Sequence, residues 1–160
     1  MNKQSVCKLI LQQLQDDLEI AVRAAKTAYE TATHEENIAE NKYDTLGLEA
    51  SYLAAGQARR VEEIRLALNL WQNLPLRPYD ARSGIQVGTL LGLEDEDGHE
   101  QWLFLGPDGA GLKVHVVGQL VTVITPRSPL GNSLLGKFEE DEVEIVVAGT
   151  RQQFTVTEVR

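Results

Sequence analysis

The sequence predicts an α+β protein: an N-terminal antiparallel two-helix coiled coil, then an antiparallel β domain with one short helix. Three observations predict it. No proline occurs before Pro75, and apolar residues up to that point recur at gaps of three and four, the period of a helix. Beyond residue 83, apolar and polar residues alternate in short runs parted by glycine-bearing turns, the period of strands. Within that second half, Ser128 to Lys137 combines a capping serine, a first-turn proline and a closing glycine, the marks of a short helix.

The first helix carries a seam through Cys7, Leu11, Leu14, Leu18, Ala21, Ala25, Ala28 and Ala32. A second seam runs through Gly47, Ala50, Ala54, Gln57, Val61, Ile64, Leu68 and Trp71, where only Gln57 is polar. Laid antiparallel, Cys7 meets Trp71, Leu14 meets Ile64, Ala28 meets Ala50 and Ala32 meets Gly47, and one turn near residues 39–40 satisfies every pair. Large side chains face large ones at the base and small face small toward the tip, so the finger is expected to taper. At about 1.5 Å per residue the paired shaft from Cys7 to Ala32 is roughly 38 Å long. The hairpin is expected over residues 1–76, with its tip near 33–45.

That tip, Thr33 to Thr45, breaks the helical pattern with a polar cluster. Glu35, Glu36, Glu40 and Asp44 stand there with one lysine, Lys42. Two readings are open: a solvated loop, or carboxylates carried on a thin rod to a divalent metal in another protein's active site. Mg²⁺ suits the second, since it is held by a few carboxylates plus waters and phosphates rather than by a closed cage.

Pro75 and Pro78 stop the second helix, and Leu76 to Ser83 forms a short linker. Residues 83–160 form the expected second domain. Ile85, Val87, Thr89, Leu91 and Leu93 alternate as a strand, Glu94 to Gly98 turns the chain, and Gln101–Leu105 returns. Leu112–Val117, Leu120–Thr125, Val143–Val147 and Phe154–Val159 are the other strands. Leu130 and Leu134, four apart on the short helix, are expected to pack on the sheet.

Composition excludes several classes. Cys7 is the only cysteine and the three histidines are scattered, which leaves no disulfide and no standard zinc spacing. A net charge of −9 opposes independent binding of duplex DNA, whose affinity comes from Lys and Arg on phosphates. Residues 83–160 carry five Lys/Arg against twelve Asp/Glu, so a basic partner surface is expected there. No apolar run approaches the ~20 residues that span a bilayer, and the first residues lack a signal-peptide core, which points to the cytoplasm.

The second half resembles the Gre family of transcript cleavage factors. In that family a strand leads to Ser-Pro-(Ile/Leu), then Leu-(Ile/Leu)-Gly-Lys, an acidic turn and a valine-rich strand. This chain has Val121-Thr122-Val123-Ile124-Thr125, Ser128-Pro129-Leu130, Leu134-Leu135-Gly136-Lys137, Asp141 and Val143-Glu144-Ile145 in that order. The likeness covers most of residues 84–160, and the order of the two domains agrees with it. It implies an FKBP-like second domain that docks on RNA polymerase through Ser128, Pro129 and Leu130, while the coiled coil enters the secondary channel. It also implies that Glu36, Glu40 and Asp44 help hold a Mg²⁺ shared with the polymerase, which then cleaves backtracked RNA. The factor would be a monomer with no cofactor of its own, no chemistry of its own, and only indirect contact with nascent RNA.

The tip departs from the family motif, Asp-Leu-x-Glu-Asn followed by Ala-Glu-Tyr. Here Glu35-Glu36-Asn37 and Glu40-Asn41-Lys42-Tyr43 stand instead, with Thr33 and Asn37 at the positions three residues before Glu36 and Glu40. A channel-occupying regulator without cleavage activity therefore stays open beside the cleavage factor. Two other classes remain: a prolyl isomerase, whose site would draw on Trp102, Phe104, Phe138 and Phe154, and a coiled-coil interaction protein unrelated to polymerase. Core packing is the more economical account of those aromatics. Arg59, Arg60 and Arg65 either approach phosphates or pair with Glu62 and Glu63 on their own helix.

Overall fold

A computed structural model describes residues 1–34 and 45–160, with the side chains of all but 45–47. Two long helices come first, α1 (Lys3–Thr33) and α2 (Thr45–Gln72). The strands β1 (Thr89–Asp95), β2 (Glu100–Leu105), β3 (Lys113–Val116) and β4 (Gln119–Ile124) follow. The short helix α3 (Pro129–Leu134) then leads to β5 (Glu142–Val147) and β6 (Thr150–Val159). Asn2 starts α1: its side-chain oxygen accepts from the N–H groups of Gln4 at 2.8 Å and Ser5 at 3.3 Å, donors a helix start leaves unpaired. Pro75 lies just past the end of α2, where Leu74 N–H still reaches the Trp71 carbonyl at 3.3 Å.

The chain divides into two compact units, Gln12–Asn69 and the joined segments Met1–Leu11 and Leu70–Arg160. The first is the helical pair. Its seam is the one the spacing predicts: Leu14, Ala21 and Ala28 of α1 and Ala50, Val61, Ile64 and Leu68 of α2 are buried. Leu18, Ala25, Ala32, Ala54 and Gln57 are half-buried, while Tyr29 and Tyr52 lie outside the seam and are exposed. Gly47 falls outside the described side chains. Ion pairs line the outer surface, Arg60 with Glu63 at 3.7 Å and Arg65 with Glu62 at 2.6 Å, the pairing expected of helix-surface arginines three residues from a carboxylate.

The second unit is built on a six-stranded sheet in the order β3-β4-β2-β1-β6-β5. The sequence predicts an antiparallel sheet; the sheet is mixed, because β2 and β4 run parallel, Trp102 beside Val121 and Phe104 beside Val123. The cause is topological. The loop after β2 carries the chain past the position of β4 to lay down β3 at the edge, and β4 then returns into the gap beside β2. The first strand also begins later than alternation suggests, at Thr89. Ile85 is instead tied into the segment after α3, its N–H donating to the Lys137 carbonyl and its own carbonyl accepting from Gly136 N–H, both at 2.8 Å. A bulge falls between Gly92 and Leu93 against β6. A Cβ at Gly92 would stand 2.6 Å from Thr157 Oγ1, so a side chain there requires Thr157 to shift.

Both faces of the sheet's centre are buried. One carries Leu91, Leu93, Leu103, Leu105, Val143, Val156 and Val159, packed with Ile85 and with Leu134 of α3, while Leu130 is half-buried against the same cluster. Register places Leu90, Phe104, Val121 and Val123 on the other face, and all four are fully buried. Trp71, from the last turn of α2, covers that face: its ring lies 5.1 Å from that of Phe104, tilted by 52°. The base turns of the helices, where Val6 and Ile10 are also fully buried, therefore belong to the same compact unit as the sheet.

Candidate functional site

Ser128, Pro129 and Leu130 occupy the start of α3, and the geometry divides their roles. Ser128 Oγ accepts from Gly131 N–H at 3.0 Å, the bond of an N-cap, and donates to the Thr125 carbonyl at 3.0 Å. Its hydroxyl is thus fully engaged in holding the end of β4 against the start of α3. Gly131 is required there, since a Cβ would lie 2.0 Å from the Thr125 carbonyl oxygen. Leu130 turns toward the core. Of the three, Pro129 alone is exposed, and the segment beyond adds Leu135 and Phe138, each 37% exposed.

The segment after α3 is fixed by backbone contacts. Gly136 is left-handed at φ +76°, as a closing glycine should be, and a Cβ on the facing Gly84 would meet its carbonyl carbon at 2.7 Å. Asp141 closes the following acidic turn: Asp141 Oδ2 accepts from Phe138 N–H at 2.8 Å. Glu139 reaches across to β6, accepting from Val159 N–H at 2.9 Å. Two of the acidic residues that make this half negative therefore also serve as structural acceptors.

The tip candidates Glu35, Glu36, Glu40 and Asp44 lie outside the described residues. What the structure describes is the pair of helices that leads to and from them, 31 residues in α1 and 28 in α2. Among the described residues, Asp95, Asp97 and His99 bring ligand atoms within 4.8 Å of one another in the β1–β2 turn. That turn already uses them. Asp95 Oδ1 accepts from the N–H groups of Asp97 and His99, both at 2.9 Å, and Oδ2 lies 3.3 Å from His99 Nδ1. The backbone donor of His99 is the main reason the Asp95 carboxyl is held below the ordinary carboxylate value. Asp80 is lowered in the same way, chiefly by Arg82 N–H. Burial pushes the Cys7 thiol pKa up, the direction opposite to that of an activated nucleophile.

The aromatic residues weighed for an isomerase site do not converge. Phe104 is fully buried on the Trp71 face, whereas Phe154 packs against the cluster on the opposite face. Trp71 is the residue whose role the sequence understated. Its indole N–H donates to the Asp108 carbonyl at 2.9 Å, and its ring fills the space above Gly106, where a Cβ would stand 2.4 Å from Cζ2. The Asp108 carboxylate in turn accepts from Gly109 N–H at 2.7 Å and from Arg127 at 3.2 Å. A tryptophan at the last seam position, with Gly106 and Gly109 following β2, is the only trace of this in the sequence.

No family model matches the chain. Among curated proteins, the transcription elongation factor GreA of Halorhodospira halophila is 30% identical over 103 residues, which are 63% of this chain and 61% of that protein. The chain thus spans about six tenths of the length of the curated relative it matches. Among solved structures, the GreA factor homolog Gfh1 of Thermus thermophilus is 18% identical with 94% of each chain covered, at a TM-score of 0.38. A GreA/GreB elongation factor from Nitrosomonas europaea is 22% identical over 55% of this chain and 64% of that one, at a TM-score of 0.36. No helix among the described residues is long and apolar enough to cross a membrane. By its sequence this chain is Gre-like: its resemblance is to the transcription elongation factors of that family.

Proposed function

We propose that the protein is a transcription elongation factor that binds RNA polymerase, docks through the α3 segment and inserts its helical pair into the secondary channel. The observation that carries this reading is the 30% identity over 103 residues to a transcription elongation factor. The two long helices on either side of residues 35–44 support it, because they suit a narrow passage better than a compact fold does. In this reading Ser128 and Leu130 hold α3 in place and Pro129 touches the polymerase. The acidic second half matches a basic docking surface, and the net charge of −9 leaves duplex DNA to the polymerase. The protein acts as a cytoplasmic monomer and meets nascent RNA only at the polymerase active site.

For that site Glu35, Glu36, Glu40 and Asp44 are the candidate donors, hard oxygen ligands of the kind Mg²⁺ accepts alongside waters and phosphates. The ion belongs to the polymerase, where it supplies the Lewis acid for hydrolysis of the extruded RNA 3′ end. The factor contributes ligands and their placement, and is not itself an enzyme. A second reading, channel occupancy without cleavage, is favoured by one feature of the tip. Neither Glu36 nor Glu40 is preceded at three residues by the aspartate that the cleavage factors carry.

Stalled elongation complexes made with the cognate polymerase test both. The cleavage reading expects RNA shortening on addition of the protein. It also expects the charge reversal Glu36→Lys, Glu40→Lys, Asp44→Lys to abolish shortening while affinity for core polymerase stays within about two-fold, because only the reacting end is altered. Binding without shortening selects the second reading. Absence of binding to core polymerase overturns both.

A further inference from the structure

We propose that β5 is an acceptor strand, whose outer edge takes up an extended, lysine-bearing segment of a partner protein and so continues the sheet. β5 ends the six-stranded order, with β6 as its one neighbour in the sheet. Its register decides which backbone groups are left over. Ala148 and Gly149, both at positive φ, form a two-residue hairpin, so Val147 and Thr150 exchange hydrogen bonds across it. The ladder then alternates, and Ile145 with Gln152 and Val143 with Phe154 are the next bonded pairs. Glu142, Glu144 and Val146 therefore aim their N–H and C=O groups away from β6. Among the described residues no backbone group outside the strand bonds to them. β5 carries no proline, so all three N–H groups along this edge are donors.

The side chains beside this edge choose the partner. Glu142, Glu144 and Val146 are exposed on one face of the strand, while Val143 and Ile145 are buried on the other. Glu142 is bonded to the neutral Gln153 at 2.9 Å, and Glu144 to Arg151 at 2.5 Å. Of the five carboxylates of Glu139, Glu140, Asp141, Glu142 and Glu144, the last alone is in an ion pair among the described residues. A lysine on an added strand stands directly opposite Glu142 or Glu144, the placement in which unlike charges attract across a ladder. An apolar residue opposite Val146, which is 61% exposed, covers apolar surface. Main-chain bonds then give affinity and the lysines give specificity. A second copy fits less well: β5 laid antiparallel on itself with Glu142 opposite Val146 sets Glu144 against Glu144. The other edge of the sheet, β3, is four residues long and bears Lys113 and His115 in place of an acidic row.

The test uses the full chain without polymerase, so its outcome is independent of the elongation-factor reading. The probe is a capped peptide of alternating lysine and valine, as long as β5, and amide hydrogen exchange is followed by NMR. At saturating peptide the amides of Glu142, Glu144 and Val146 are expected to exchange at least about ten-fold more slowly, with those of β3 unchanged. A peptide of the same charge, N-methylated at the residues whose N–H groups face β5, is expected to leave those three amides unprotected. The double variant Glu142→Lys, Glu144→Lys, altered only at exposed positions, is expected to lose at least about ten-fold in affinity for the unmethylated peptide. Absence of peptide binding overturns the proposal. So does binding that leaves the three amides unprotected or tolerates the methyl groups, which is attraction by charge alone. Protection of the same amides that grows with protein concentration in the absence of peptide also overturns it, and makes a second copy the occupant.

Discussion

Val117 shows how a single backbone angle is decided. It sits at φ +51° before Gly118 at φ +76°, the left-handed pair of a two-residue hairpin joining β3 to β4, and Ala148-Gly149 repeats the geometry between β5 and β6. A β-branched residue there clashes with its own carbonyl at a cost of about 1–2 kcal/mol, which asparagine largely avoids. Val117 is 89% exposed, so its side chain recovers little by packing. Val117→Asn is expected to raise stability by about 1 kcal/mol, seen as a melting temperature a few degrees higher. An unchanged or lower melting temperature would show that the strain is relieved elsewhere. The sequence hid this turn because Val-Gly is not among the dipeptides that announce one. It announced α3 clearly, because Ser128 suits an N-cap, Pro129 the first helical turn and Gly136 a left-handed close.

At the scale of the element, the long helices were legible and the strands only partly so. A helix buries one stripe, and a stripe every third or fourth residue appears in the sequence whatever it packs against. The alanines in that stripe make a specific claim. Ala21, Ala28 and Ala50 are buried, and a larger side chain on such a seam has to push the helices apart or find a new rotamer. Ala28→Leu is expected to cost about 1–3 kcal/mol by overpacking, measured as an earlier loss of helical dichroism on heating. A variant as stable as the parent would mean that the seam is open at that level. The strand β1 misled because Thr89 to Leu93 is buried on both faces, so alternation carries no information there. Ile85 and Val87 extend the alternation by chance, in a segment the structure uses as a clasp.

Across the whole molecule, the domain limit suggested by Pro75 and Pro78 is a limit of secondary structure and not of packing. Trp71 and the first turns of α1 belong with the sheet, and Leu90, Phe104, Val121 and Val123 lie on the face that Trp71 covers. A fragment of residues 83–160 would leave that face bare. Removal of a buried tryptophan alone costs about 3–5 kcal/mol, a large part of the roughly 5–15 kcal/mol that holds a domain together. The isolated fragment is expected to bind a hydrophobic dye and to melt without a sharp transition, whereas the intact chain melts cooperatively. A fragment that melts like the intact chain would refute this division of the core.

The sequence by itself determined the helical pair, its seam, the capped helix and the acidic character of the tip, because each follows from neighbours within a few residues or from a fixed repeat. Tertiary structure alone decided that β4 lies parallel to β2, that Ser128 and Leu130 face inward beside an exposed Pro129, and that Trp71 closes the sheet's second face. Those outcomes depend on which distant segments compete for the same buried surface. A surface of that kind is shared among residues far apart along the chain, and no local pattern records the winner.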